Sequence, residues 1–204
     1  MQAARGTSVE PGGTTTAPTR RTRLRWLFAA IAATLYAVDV TTKIVAVERL
    51  TDQPDVRVVG EILQLHLTRN PGAAFSTGTQ FTVVLSCVAI AAVAVVLWLS
   101  RRIGSVGWAI ALGALLAGIS GNLTDRILRE PGPFRGHVID FLMLPNWPVF
   151  NVADICINVG AGLVLLQAFR GIRIDGSRER RHKSEEQPDE HSGAEPEPGP
   201  ERAE

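Results

Sequence analysis

Asp140 and Asp154 each stand at the edge of an apolar segment, the first in Gly136-His137-Val138-Ile139-Asp140-Phe141, the second in Phe150-Asn151-Val152-Ala153-Asp154. A carboxylate beside hydrocarbon is costly and rarely persists without a task. Two of them flanking one short connection suggest a carboxylate pair at a membrane surface. Repulsion and desolvation raise one pKa of such a pair, which then holds one proton between its members and can activate water. Hydrolysis in general needs these parts: a nucleophilic water, a base for its proton and an acid for the leaving group. The proton belongs to the pair, so the sequence assigns no fixed acid or base.

Other polar residues stand where a bilayer would not tolerate idle ones. Asp39 and Lys43 are four apart and share a helix face. They read either as an ion pair with Lys43 snorkelling to the headgroups, or as a site where Lys43 holds a polar substrate group or lipid headgroup. The two readings do not exclude each other. Asn70-Pro71-Gly72-Ala73-Ala74-Phe75 is adequately explained as a turn. The Asn70 amide could also bond an extended backbone that small Gly72 lets approach. In Gly121-Asn122-Leu123-Thr124-Asp125-Arg126, Asn122 shares a face with Asp125 and Arg126. Asp125 reads as structural, tied up by hydrogen bonds or an arginine, while Arg126 braces another helix or a substrate carbonyl. Asn151, Asp154 and Asn158 form a stripe that should face the bundle interior. Neutral amides would suffice as glue, so the carboxylate makes Asp154 a site candidate. His137 stands three residues before Asp140, a spacing that suits a metal on a helix, but no second histidine lies at a ligand spacing, so His66 and His137 read as surface or loop residues. No metal or cofactor is expected, and there is no Walker-type loop and no Ser/His or Cys/His pairing.

The elements that must carry these residues are membrane helices. Four stretches, about residues 24–47, 81–99, 106–127 and 149–169, are long and apolar enough to cross a bilayer. The first is too long, and too poor in small residues at a cleavage point, to read as a removed signal peptide. Arginines precede the first span (Arg20, Arg21, Arg23, Arg25), separate the second from the third (Arg101, Arg102) and follow the fourth (Arg170, Arg173, Arg178, Arg180, Arg181). The positive-inside rule makes those regions cytoplasmic, with both termini inside and loops 48–80 and 128–148 outside. Val56–Val59 and Ile62–Leu67 alternate partially, as a small surface sheet would. Trp26, Trp98, Trp108 and Trp147 fall near span ends, as an aromatic belt places them. The expected fold is therefore an all-α membrane protein: a four-transmembrane-helix bundle over 24–169 with a small extracytoplasmic β-sheet lying on the membrane surface. The polar tails, 1–23 and 170–204, are expected to be disordered. Net charge of +1 gives no basic field for nucleic acid. Cys87 and Cys156 read as small buried hydrophobes.

Taken in order, Asp39-x-x-Thr42-Lys43, Asn70-x-Gly72-Ala73-Ala74-Phe75, Gly121-Asn122-x-x-Asp125-Arg126, Gly136-x-Val138-x-Asp140-Phe141 and Phe150-Asn151-x-Ala153-Asp154 resemble lipoprotein signal peptidase, also called signal peptidase II, of bacteria. The Arg-rich start and acidic tail look like an actinobacterial version. The resemblance covers about residues 24–169. It implies a monomeric intramembrane aspartic endopeptidase in the bacterial cell membrane, with its active site at the outer face. Such an enzyme removes the signal peptide of diacylglyceryl-prolipoprotein substrates, cutting just before the lipidated lipobox cysteine among membrane lipids. By the same resemblance, Asp140 and Asp154 correspond to the catalytic pair. Asn70, Gly72, Asn122, Arg126 and Asn151 correspond to substrate-binding or supporting positions, Asp39 and Lys43 to supporting ones, and Asp125 to a structural one.

Two other classes compete. A small proton-coupled transporter could use membrane carboxylates and Lys43 as a relay. Against it, the carboxylates cluster toward one face, without repeated halves or broken helices. A membrane adaptor could recruit a partner through its acidic tail; removing residues 175–204 discriminates, since a peptidase would retain cleavage in vitro.

Overall fold

The computed structural model describes residues 19–72 and 80–178. Ala73, Ala74 and Phe75, and the tails up to residue 18 and from 179, lie outside the described residues. The elements are α1 (Arg20–Leu50), β1 (Val56–Val59), β2 (Leu63–Asn70), α2 (Gln80–Ser100), α3 (Val106–Leu128), β3 (Val138–Met143) and α4 (Val152–Phe169). Among the described residues, four helices are long and apolar enough to cross a membrane.

α1 has 31 residues. At the usual rise it is about 46 Å long, beyond a hydrocarbon core of roughly 30 Å, so it also carries polar residues past the bilayer. Its start is capped by Thr19, whose side chain accepts from the Thr22 N–H at 3.4 Å. α3 is the central helix and packs on the other three. Its buried face is made of Ala111, Gly113, Ala114, Ala117, Gly118 and Gly121. Small residues let helix backbones approach closely where lipid offers no hydrophobic drive for association.

The apolar core is split. Leu24, Phe28, Val96, Ile103, Trp108 and Leu112 fill one end of the bundle. Ala46, Leu50, Ile139 and Phe141 fill the other, beneath the sheet. The buried polar layer of Asp39 and Lys43 sits on α1 between these clusters.

The sheet is antiparallel in the order β1-β2-β3. β1 and β2 fall where alternation predicts them. β3 is a strand where the sequence predicts only a loop between two spans. Val138, Ile139, Asp140 and Phe141 are all buried, so no polar face marks the strand. Beyond β3 the chain doubles back, with Leu142 and Phe150 exchanging backbone hydrogen bonds of 2.8 and 3.0 Å. This return delivers Asn151 to the start of α4 beside β3.

The opposite end departs from expectation in two ways. Trp108 is not at the surface; it is buried, and its indole N–H donates to the Ile172 carbonyl at 2.9 Å. After α4 the chain does not become irregular at residue 170. Residues 171–178 form a short hairpin, with Ile172 bridged to Arg178, docked on the bundle by the Gly104 N–H donating to the Ile174 carbonyl at 2.9 Å.

Candidate active site

Asp140 lies on β3 and is 2% exposed. In the register of β2 and β3, Thr68 faces Asp140 and Asn70 faces Val138. Side chains two apart share a face of a strand, so Asn70 reaches Asp140 diagonally. The Asn70 Nδ2 donates to Asp140 Oδ2 at 2.9 Å. The other Asp140 oxygen accepts from Asn151 Nδ2 at 2.6 Å.

Asn151 is the N-cap of α4, and Asp154 closes a reciprocal capping box with it. Asp154 N–H donates to Asn151 Oδ1 at 2.9 Å, and Asn151 N–H donates to Asp154 Oδ2 at 3.1 Å. The helix therefore begins at Val152 because Asn151 caps it. Asp154 sits in the first turn, where unsatisfied N–H groups present positive potential. One amide residue thus touches both carboxylates.

Asn122 on α3 completes the ring. Its Nδ2 donates to Asp154 Oδ1 at 2.9 Å. Its Oδ1 accepts from Lys43 Nζ at 2.9 Å and from Asn151 Nδ2 at 3.2 Å. With two donors on that oxygen, the amide can only present its NH₂ to Asp154.

Lys43 is 1% exposed. It pairs with Asp39 at 2.9 Å and Asp125 at 2.8 Å, besides Asn122. Three N–H donors meet three acceptors, so Lys43 neither snorkels to headgroups nor keeps a donor for substrate. Asp39 also accepts from the Ala153 N–H at 2.8 Å, giving α4 a second cap from another helix. Asp125 accepts from Arg129 Nε at 2.5 Å and the Ile139 N–H at 3.3 Å. The arginine that ties it up is Arg129, not its neighbour Arg126. The Arg126 Nη1 is buried and has no hydrogen-bond partner among the described residues.

Asp140 has its carboxyl pushed up to about 6. Burial is the largest cause, and the charge of Asp154 adds to it; hydrogen bonds from Asn70 and Asn151, and Lys43, pull the other way.

Other expected residues lie apart. Asn158 is exposed and donates to its own helix at the Asp154 carbonyl, 2.8 Å, so the polar stripe ends before it. His66 pairs with Asp55 at 2.6 Å on the outer sheet. No cluster of three potential metal ligands occurs among the described residues.

A sequence profile described as signal peptidase (SPase) II matches residues 31–170, which include every residue of this network. The lipoprotein signal peptidase of Leifsonia xyli subsp. xyli is 46% identical over 155 residues, 76% of this chain and 72% of that one. That of Mycobacterium avium is 42% identical over 177 residues, 86% of this chain and 97% of that one. A solved bacterial membrane enzyme shares the fold, with TM-score 0.63 at 22% identity, covering 70% of this chain and 92% of that one. The chain belongs to the signal peptidase II family, aspartic peptidases of the bacterial membrane that remove signal peptides from prolipoproteins during lipoprotein maturation.

Proposed function

We propose that Asp140 and Asp154 are the catalytic pair, acting on diacylglyceryl-modified prolipoproteins immediately before the lipidated cysteine. The observation that carries this reading is the bridging role of Asn151, whose side chain donates to Asp140 and accepts from the backbone of Asp154. The raised carboxyl of Asp140 makes it the member better suited to carry the proton that the pair shares. Asp154 takes a proton from water, and the resulting hydroxide adds to the scissile carbonyl carbon. The Asp140 proton passes to the carbonyl oxygen. Asp154 then passes the proton it took from water to the amide nitrogen, the C–N bond breaks, and a hydroxyl of the intermediate returns its proton to Asp140 as the carboxyl product forms. The buried Arg126 Nη1 supplies a donor for the substrate's peptide carbonyl, with Asn70 and Gly72 positioning the extended segment beside it. Lys43, Asp39, Asn122 and Asp125 support the pair.

Depth explains the choice of substrate. The start of α1, the α2–α3 connection and the segment after α4 meet at one end, where Arg25 donates to the Arg101 carbonyl at 2.8 Å. By the positive-inside rule that arginine-rich end is the cytoplasmic one, which supports a carboxylate pair at the outer face. There the diacylglyceryl chains of a substrate anchor the cleavage bond at the depth of the pair. Confinement of both partners to one membrane raises their effective concentration. The enzyme acts as a monomer and binds no nucleic acid.

The test is cleavage of a diacylglyceryl-modified lipobox peptide by purified protein. Asp140→Asn and Asp154→Asn should each lose roughly 10²–10⁴-fold in rate while inserting normally. Full activity in either variant refutes the pair. Activity should survive EDTA; loss restored by zinc overturns the metal-free chemistry.

A further inference from the structure

No described side chain of α2 joins the carboxylate network, and the helix carries no charged residue. It nonetheless buries two hydroxyls, Thr82 at 1% exposure and Ser86 at 0%. A buried hydroxyl is costly unless bonded, and the simplest partner in an apolar helix is the carbonyl one turn back. Ser86 fits that ordinary account in part, since its Oγ lies 2.9 Å from the Thr82 carbonyl, and also 2.9 Å from that of Phe134. Thr82 stands in the first turn of α2, and its hydroxyl donates outside the helix to the Pro71 carbonyl at 2.7 Å.

Pro71 is the middle of the turn that presents Asn70. The Gly72 N–H donates to Asn70 Oδ1 at 2.8 Å, which directs the other end of the amide at Asp140. Gly72 has φ +106°, and a Cβ there would stand 2.8 Å from Leu85 Cδ1 of α2. The turn is therefore pressed on α2 at Gly72 and fastened to it at Pro71. We propose that Thr82 is a positioning residue for the peptidase reaction: its hydroxyl fastens the Asn70–Gly72 turn to α2 and so keeps the Asn70 amide on Asp140. This rests on the reading of Asp140 as a member of the catalytic pair.

Among the described residues, the charges that face Asp140 are Asp154 from α4, Lys43 from α1 and Arg126 from α3. Arg69 on β2 lies opposite Ile139, so it points to the other face of the sheet. Thr82 adds no charge, and its link to the pair runs through the turn that carries Asn70.

The experiment is the pH profile of cleavage in full-length protein, with melting temperature recorded beside it. Thr82→Val should move the alkaline limb to higher pH by on the order of 0.5 unit, in the direction of Asn70→Ala and no further. Thr82→Ser, which keeps the hydroxyl, should restore the limb. In the double variant Asn70→Ala/Thr82→Val, the second change should add no shift. If Thr82→Val does not insert, Thr82→Ala is read the same way. A rate that falls equally at every pH, a limb that stays in place, or additive shifts in the double variant overturns the proposal. If Asn70→Ala leaves the limb unmoved, the link through Asn70 is wrong and the proposal falls with it. The catalytic pair itself is judged separately, by Asp154→Asn.

Discussion

Lys43 shows how much of this site is electrostatic scaffolding. Its ammonium satisfies Asp39, Asp125 and Asn122 at once, so removing it leaves buried Asp39 without its ion pair and Asp125 with Arg129 as its remaining one. Lys43→Met should therefore destabilise the protein by about 3–5 kcal/mol, seen as a large drop in melting temperature in detergent. The i,i+4 spacing made Asp39 and Lys43 legible as a pair, but Asp125 comes from a different helix, and no spacing rule reaches it. At Asp140 the sign of the pH effect follows from the carboxyl being raised from 3.8 to about 6. The group is protonated below that value, and the proposed mechanism needs its proton, so cleavage should fall as pH rises through about 6. Asn70→Ala removes a bond that favours the ionised form and should carry the alkaline limb upward, by about one unit at most. Stability runs in the same sense. Between 3.8 and about 6 the unfolded chain has released this proton and the folded one has not, so Asp140 makes the fold less stable as pH rises across that window.

Among the elements, the helices were readable because an uncharged run of about 20 residues suits little besides a bilayer. β3 was not, because its apolar run encloses a carboxylate and is buried on both faces, which erases the alternation that marks a strand. Thr82 was equally hidden, since a hydroxyl in an apolar helix carries no sign of whether it bonds inside or outside that helix. The seam between α3 and α4 makes a sharper prediction. A Cβ at Gly118 would stand 2.4 Å from the Ala153 carbonyl oxygen and 2.7 Å from Ile157 Cγ1, whereas one at Gly162 meets nothing within 4 Å. Gly118→Ala should cost about 1–3 kcal/mol and lower activity, because Ala153 sits in the turn that holds Asp154. Gly162→Ala should be neutral or gain up to about 1 kcal/mol from helix propensity. Melting temperatures of the two variants decide it.

Seen whole, the molecule has a chemical end and a fastened end. Composition marked the chain after α4 as polar tail, yet Ile172 and Ile174 pack on the apolar cluster around Trp108. Their contribution was hidden by the charges that surround them in sequence. Truncation after Arg178 should leave cleavage and melting temperature unchanged in vitro. Truncation after Arg170 should remove the hairpin, leave the Trp108 indole without its Ile172 partner and lower the melting temperature by several degrees. Equal behaviour of the two truncations would deny the hairpin any structural part. At the chemical end, the capping box that joins Asn151 to Asp154 has a consequence for biogenesis. The proposed base belongs to the opening turn of α4, so a nascent chain in which that helix has not yet formed would lack one member of the proposed pair.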